Sequence, residues 1–254
     1  MDRWVNRVAV VTGASAGIGA QIAKDLANAG MVVVALARRV ERVENLKKEL
    51  PEAVQKHFYP VKCDVMNEEE IIETFSWIKK TLGGIDVLIN NAGIGTSAVK
   101  LVDAGNSDIM RNTVNTNLMG VFYCTREAYQ SMRERSFHGH IININSVLGH
   151  GIPVVPTEYG YMNFNIYPAT KYGVTALTES FRQDFINEKS GIKITSISPG
   201  TVQTEITPDY SAESLKNIPH LMPVDISNAV LYTLGTPPNV NIKELVISPT
   251  ESLY

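Results

Sequence analysis

An apolar run that breaks into glycines and re-forms as a helix sets the architecture open to this chain. Residues 8 to 11, Val-Ala-Val-Val, are followed at once by Thr12-Gly13-Ala14-Ser15-Ala16-Gly17-Ile18-Gly19. Ile22, Ala23, Leu26 and Ala29 then recur at helical spacing. A short continuous apolar run reads as a buried strand and the later periodicity as a helix, so the segment predicts a strand, a glycine turn and a helix. Glycines let a pyrophosphate approach the backbone, and a helix N-terminus offers it free amides and a favourable dipole. Gly13, Gly17 and Gly19, with Ser15 and Ile18 between them, are therefore candidate nucleotide contacts. The spacing Gly-x-x-x-Gly-x-Gly departs from the commonest fingerprint, Gly-x-Gly-x-x-Gly, but works by the same mechanics.

Downstream, apolar runs alternate with helical stretches, the pattern of parallel strands joined by crossover helices. The runs predict strands at 31–37, 57–62, 85–90, 140–146, 192–198 and 242–247, in addition to the first. Asn67 is placed to cap a helix that carries Glu68, Glu69 and Glu70 in its first turn and closes at Gly83-Gly84, as capping and dipole preferences favour. The expectation is an α/β Rossmann fold, a doubly wound parallel sheet of about seven strands forming one domain over residues 1–254. With 44% hydrophobic residues in 254, the chain can bury one sizeable core. A net charge of −3 gives no basic footprint for nucleic acid. No apolar run reaches the roughly 20 residues that span a bilayer. The opening Met-Asp-Arg-Trp-Val-Asn-Arg lacks the apolar core of a secretory signal, so a soluble, cytoplasmic protein is expected. Cys63 and Cys124 read as buried free thiols. The five histidines, His57, His138, His140, His150 and His220, show no ligand spacing and no clustered carboxylate, and are read as solvated loop residues; no metal is called for.

The end of the second strand bears on the choice of dinucleotide. An acidic residue there suits the ribose hydroxyls of NAD, and arginine suits the 2′-phosphate of NADP. The sequence is Ala37-Arg38-Arg39, which predicts NADP, with Arg38 as the first contact and Arg39 in support. Two surface charges without a ligand are the alternative. Ala16 holds no basic residue, and Ser15 can add a hydroxyl contact.

Tyr167 and Lys171, in Tyr-Pro-Ala-Thr-Lys, stand four apart and share a helix face. An ammonium about 4 Å from a phenolate at an effective dielectric near 20 stabilises it by roughly 4 kcal/mol, about 3 pKa units before desolvation opposes it. Tyr167 is thus a candidate proton donor and acceptor at neutral pH, although Tyr-x-x-x-Lys also occurs as a solvated face. Ser146 ends an apolar strand, where its hydroxyl is costly to bury unless it serves as a donor to a substrate oxygen. Asn90 to Gly93 reads as backbone support for the cofactor with close chain approach at Gly93, or as a simple Asn/Gly turn.

Thr12 to Gly19, Asn90-Asn91-Ala92-Gly93, Asn117 in Asn-Leu-Met-Gly, Ser146, Tyr167 with Lys171, and Pro199-Gly200 occur in an order that resembles the short-chain dehydrogenase/reductase family across essentially the whole chain. Residues 124–132, 141–146 and 169–179 are more narrowly similar to the dehydrogenase/reductase member 11 group and its insect farnesol dehydrogenase-like relatives. The resemblance implies a catalytic set of Asn117, Ser146, Tyr167 and Lys171, with Asn117 in a helix irregularity where its backbone holds a water near the lysine; Asn115 is the alternative. It implies that Asp64 and Val65 flank the adenine, although an aspartate after a strand is often a turn cap. Asn91, Ala92 and Gly93 would line the cofactor. Pro199, Gly200 and Val202 would do so after a later strand, with Thr204 on the nicotinamide amide. Tyr167 and Lys171 would also touch the ribose. Homodimers or homotetramers through the helices containing 108–134 and 168–188 are implied as well.

Ile152, Pro153, Val154, Val155, Pro156, Tyr159, Tyr161, Met162 and Phe164 make the loop between Ser146 and Tyr167 apolar. Its glycines and prolines suit a shaped flap, and residues 149–165 are expected to form a substrate lid. Ile206, Tyr210, Leu215, Leu221 and Met222 offer a second apolar wall, accompanied by Lys216 and His220 but no basic cluster. A lipophilic alcohol or carbonyl compound is the expected partner, farnesol and farnesal first, a ketosteroid or other carbonyl next. These residues could instead pack within the subunit or its assembly. A regulatory protein that binds cofactor with little turnover is the competing functional class.

Overall fold

In a computed structural model of the chain, which describes residues 1–95, 97, 99–153, 163–206 and 218–252, seven strands form one parallel sheet. In chain order these are β1 (Val8–Thr12), β2 (Val32–Ala37), β3 (Phe58–Lys62), β4 (Val87–Asn90), β5 (His140–Ile144), β6 (Lys193–Pro199) and β7 (Glu244–Ile247). Their spatial order is β3-β2-β1-β4-β5-β6-β7. The expected doubly wound α/β sheet is therefore present, with every expected strand in place to within three residues at either end. β5 stops at Ile144, short of Ser146, because residues 145–146 turn away toward a short helical turn. Pro60 is tolerated in β3 because that strand lies at the sheet edge.

Helices α1 (Gly17–Asn28), α2 (Val40–Lys48), α3 (Glu52–Gln55), α4 (Glu68–Leu82), α5 (Ser107–Val114), α6 (Gly120–Glu134), α7 (Tyr167–Asn187) and α8 (Pro223–Gly235) cover both faces. Alternate residues of β1 divide between two cores. Ala9 and Val11 pack with Ile22 and Leu26 of α1 and Val230 of α8. Val8 and Val10 pack with Phe75 of α4 and Met132 of α6. Burial on both faces is why this strand reads as an unbroken apolar run. Each buried Leu or Ile side chain contributes roughly 1.5–3 kcal/mol, so the sheet is held at many points at once.

The cap expected on α4 is present: Asn67 accepts from the amides of Glu69 (3.0 Å) and Glu70 (3.3 Å). Gly83 ends the helix at φ +82°. α5 and α6 run on from one another through a π turn at Asn115–Met119, which is where the irregularity was expected. Among the described residues, no helix is long and apolar enough to cross a membrane. β1 pairs with both β2 and β4, so the winding reverses at that seam. Ligands of such sheets bind beyond the strand ends beside the reversal.

Candidate functional site

Thr12, the last residue of β1, ties the first motif to the second. Its hydroxyl donates to Ile89 O (3.4 Å) and accepts from the amides of Asn91 and Ala92 (both 3.0 Å). Asn91 Nδ2 returns bonds to Thr12 O (2.9 Å) and Gly13 O (3.2 Å). Gly13 sits at φ +67° and Gly17 at φ +55°, a left-handed region costly for residues with a Cβ. Space is equally restrictive. A Cβ on Gly13 would lie 2.8 Å from Ala92 Cα, and one on Gly19 would overlap Asn91 Nδ2 and Gly13 O. Ala16 caps α1 with no side-chain bond, and the first turn of that helix holds no acidic residue. The turn therefore fits a pyrophosphate, with Ser15 and Ile18 beside it.

Close chain approach was expected at Gly93 and is found elsewhere. A Cβ there would meet nothing nearer than Asn117 Oδ1 at 3.6 Å, an ordinary contact. The tight position is Gly13 against Ala92, because the crossing of the two loops occurs one residue earlier.

At the end of β2, Arg38 and Arg39 are both exposed. Arg39 points back toward the turn, its Nη2 lying 3.4 Å from Ser15 Oγ. The sequence showed no acidic residue competing for this corner, yet Glu205 reaches it and contacts Arg39 and Arg42. Neither Glu205 nor Arg42 was singled out from the sequence; Arg42, one turn beyond Arg38 on α2, was the available signal. Asp64 is engaged in its own turn, where Oδ1 accepts from Met66 N (3.0 Å) and its amide donates to Glu70 Oε2 (2.9 Å). Val65 is buried, and its carbonyl would lie 2.9 Å from a Cβ on Gly120.

Ser146, Tyr167 and Lys171 converge beyond β5. Ser146 Oγ accepts from Leu148 N (3.1 Å) and is hydrogen-bonded to the Tyr167 phenol. Lys171 Nζ donates to Ile144 O (3.0 Å) and lies 5.5 Å from the centre of the Tyr167 ring. The expected acidification of the phenol is reversed. Burial pushes Tyr167 up to about 12, with the Ser146 hydroxyl acting in the opposite sense. Lys171, 5% exposed, is itself lowered by burial to about 8. The ammonium is held against the strand-end carbonyl of Ile144, and burial of the phenol sets the direction of its shift.

Asn117 sits in the π turn and works through its side chain. Oδ1 accepts from Ile94 N (2.8 Å), and Nδ2 donates to Ile94 O (2.9 Å) and Thr170 Oγ1 (3.2 Å). Thr170 in turn donates to Tyr167 O (2.7 Å). The amide thus joins the loop after β4 to the first turn of α7. Asn115 opens the same π turn.

Pro199 ends β6, and Gly200 N bonds to Ile247 O at 2.7 Å. Val202 bridges to Leu221. Thr204 closes over the glycine turn, its Cγ2 lying 3.0 Å from where a Gly17 Cβ would stand. Of the expected apolar walls, Val154, Val155, Pro156, Tyr159, Tyr161, Met162, Tyr210 and Leu215, with Lys216, lie outside the described residues. Ile152, Ile206 and Met222 are exposed.

Two histidines differ from expectation. His140 opens β5 and is fully buried, with Nε2 2.9 Å from Thr195 Oγ1 on the neighbouring strand. His150 does have a carboxylate partner, Glu244 Oε1 at 2.7 Å. Both partners arrive from strands far along the chain. Cys63 and Cys124 are buried free thiols, and burial raises both.

The model of the short chain dehydrogenase family matches residues 7–214. A farnesol dehydrogenase of Aedes aegypti is 53% identical over 249 residues, covering 98% of each chain. Dehydrogenase/reductase SDR family member 11 of Gallus gallus is 45% identical over 262 residues, covering all of both. Among solved structures, the closed form of a serine dehydrogenase complexed with NADP+ superposes with a TM-score of 0.84 at 32% identity, covering 97% of this chain and 96% of the other.

Proposed function

The chain belongs to the short chain dehydrogenase family, and on that premise we propose that it is an NADP-dependent oxidoreductase interconverting a lipophilic alcohol and its carbonyl, farnesol and farnesal foremost. The observation that carries the chemistry is the convergence of the Ser146 hydroxyl, the Tyr167 phenol and the Lys171 amine beside the glycine turn. The substrate rests on the similarity to the Aedes aegypti farnesol dehydrogenase.

NADP would be held by Gly13, Ser15, Gly17, Ile18 and Gly19 at its pyrophosphate and by Arg38 and Arg39 at its 2′-phosphate. Its nicotinamide, when bound, supplies the hydride acceptor or donor. The chain's residues handle the proton. In oxidation Tyr167 takes the alcohol proton; in reduction it returns one to the carbonyl oxygen. Ser146, already an acceptor for Leu148 N, has its own proton to hold the substrate oxygen in line. Lys171 places a positive charge behind the phenol, and Asn117 fixes the first turn of α7. The proposal includes a cytoplasmic homodimer or homotetramer, the assembly supported by exposed Ile109 on α5 and exposed Tyr172 and Ile186 on α7.

Nicotinamide absorbance with farnesol, geraniol, retinol and ketosteroids tests the substrate. Farnesol should give the highest kcat/KM; a ketosteroid in first place would replace it, and nucleotide binding without turnover would indicate a regulatory protein. Charge-assisted bonds of roughly 1.5–3 kcal/mol imply that Arg38→Ala weakens NADP about 10- to 150-fold. NAD should change less, and equal losses would remove Arg38 from the 2′-phosphate.

A further inference from the structure

Three arginines, Arg38, Arg39 and Arg42, stand within five residues at the end of β2, and a carboxylate from far along the chain is already seated among them. Arg42 Nη1 donates to both oxygens of Glu205, at 3.0 and 2.7 Å. Arg39 Nη1 lies 3.5 Å from Oε2 of the same carboxylate, while its Nη2 reaches Ser15 Oγ at 3.4 Å. Arg38 is exposed and takes part in no ion pair among the described residues. Glu205 directly follows Thr204, which lies over Gly17. The carboxylate therefore reaches the basic corner from the segment after β6, which meets the glycine turn and the end of β2 there.

We infer that Glu205 is a specificity-determining residue, an internal anion that occupies the guanidiniums a nucleotide 2′-phosphate would use and so competes with it. The inference rests on the proposed reading that a 2′-phosphate binds at the end of β2. A 2′-phosphate brings a charge between −1 and −2 at neutral pH, and guanidinium forks recognise carboxylate and phosphate alike. As the phosphate comes to Arg39 it must share that residue with Glu205 or displace it. Whichever happens, a carboxylate is left beside a like charge. A ligand without the phosphate meets neither cost. Glu205 therefore holds the preference for the phosphorylated nucleotide below what three arginines alone would give. The Arg and Glu side chains here are 43 to 60% exposed, so the effect is moderate and salt-sensitive.

The test is calorimetric titration of the full chain with adenosine 2′,5′-bisphosphate and with adenosine 5′-monophosphate, at low and at physiological salt. Glu205→Gln should tighten the bisphosphate about 3- to 10-fold at low salt. The gain should shrink as salt is added, and the monophosphate should stay unchanged. Glu205→Ala should move in the same direction, separating lost charge from new hydrogen bonds made by glutamine. If the parent protein binds the bisphosphate no better than the monophosphate, the 2′-phosphate reading fails and the inference falls with it. If the parent prefers the bisphosphate while both variants bind it equally well or more weakly, Glu205 organises the arginines instead, and the inference alone is overturned.

Discussion

Tyr167 holds its proton at neutral pH, because burial lifts its phenol to about 12. It is thus ready as an acid for carbonyl reduction and mostly unready as a base for alcohol oxidation. The kcat/KM for alcohol oxidation should climb steadily from pH 7 to 9, while that for carbonyl reduction should not rise; an oxidation profile flat across that range would contradict the raised phenol. Lys171 carries the complementary cost. Its amine is lowered from 10.5 to about 8 by burial, a penalty on the charged native state of about 3 kcal/mol below pH 8. The unfolded chain binds more protons between pH 8 and 10.5, so this penalty is relieved as pH climbs through that window. Lys171→Met should therefore abolish turnover yet stabilise the fold by up to about 1.5 kcal/mol at pH 7, after the lost charge-assisted bond to Ile144 O is counted. Denaturant melts of both proteins should show that gap narrowing above pH 8. A variant less stable than the parent at pH 7 would mean that the lysine is worth more to packing than its desolvation costs.

The π turn between α5 and α6 acts as a clasp rather than a defect. Through it Asn117 grips both the amide and the carbonyl of Ile94 and reaches Thr170 on α7. Three neutral hydrogen bonds at roughly 0.5–1.5 kcal/mol each, with partners left unsatisfied, make Asn117→Ala about 2 to 3 kcal/mol less stable by chemical denaturation. A loss below about 0.5 kcal/mol would show that the loop after β4 is held by other contacts. Elements defined by local rules were legible in the sequence. Asn67, the three glutamates after it and Gly83 bound α4 by chemistry confined to its own ends. What could not be read depends on partners supplied by the fold. His140 was read as solvated although it opens the strand predicted at 140–146, because nothing near it in sequence announces Thr195. Glu205 meets Arg39 across 166 positions. The direction of the Tyr167 shift turned on how deeply the fold buries the phenol, which spacing alone does not give.

At the scale of the whole molecule, every strand of the sheet runs the same way, so the glycine turn, Arg38, Asn91, Ser146 and Thr204 are delivered to one edge. Apolar side chains left outward on α5 and α7, Ile109, Tyr172 and Ile186, fit the expected assembly through these helices. Light scattering of the parent protein should give a dimer or tetramer, and Ile186→Asp should shift it toward smaller species. A parent protein that is monomeric at micromolar concentration would dismiss that role. The closing of Gly17 by Thr204 also sets a schedule for biosynthesis. The ribosome makes the phosphate turn first and its closing residue about 190 residues later, roughly 10 to 40 s at ordinary elongation rates. Throughout that interval the emerging polypeptide carries an unfinished nucleotide groove, which cellular nucleotide can steady only after Thr204 has been added.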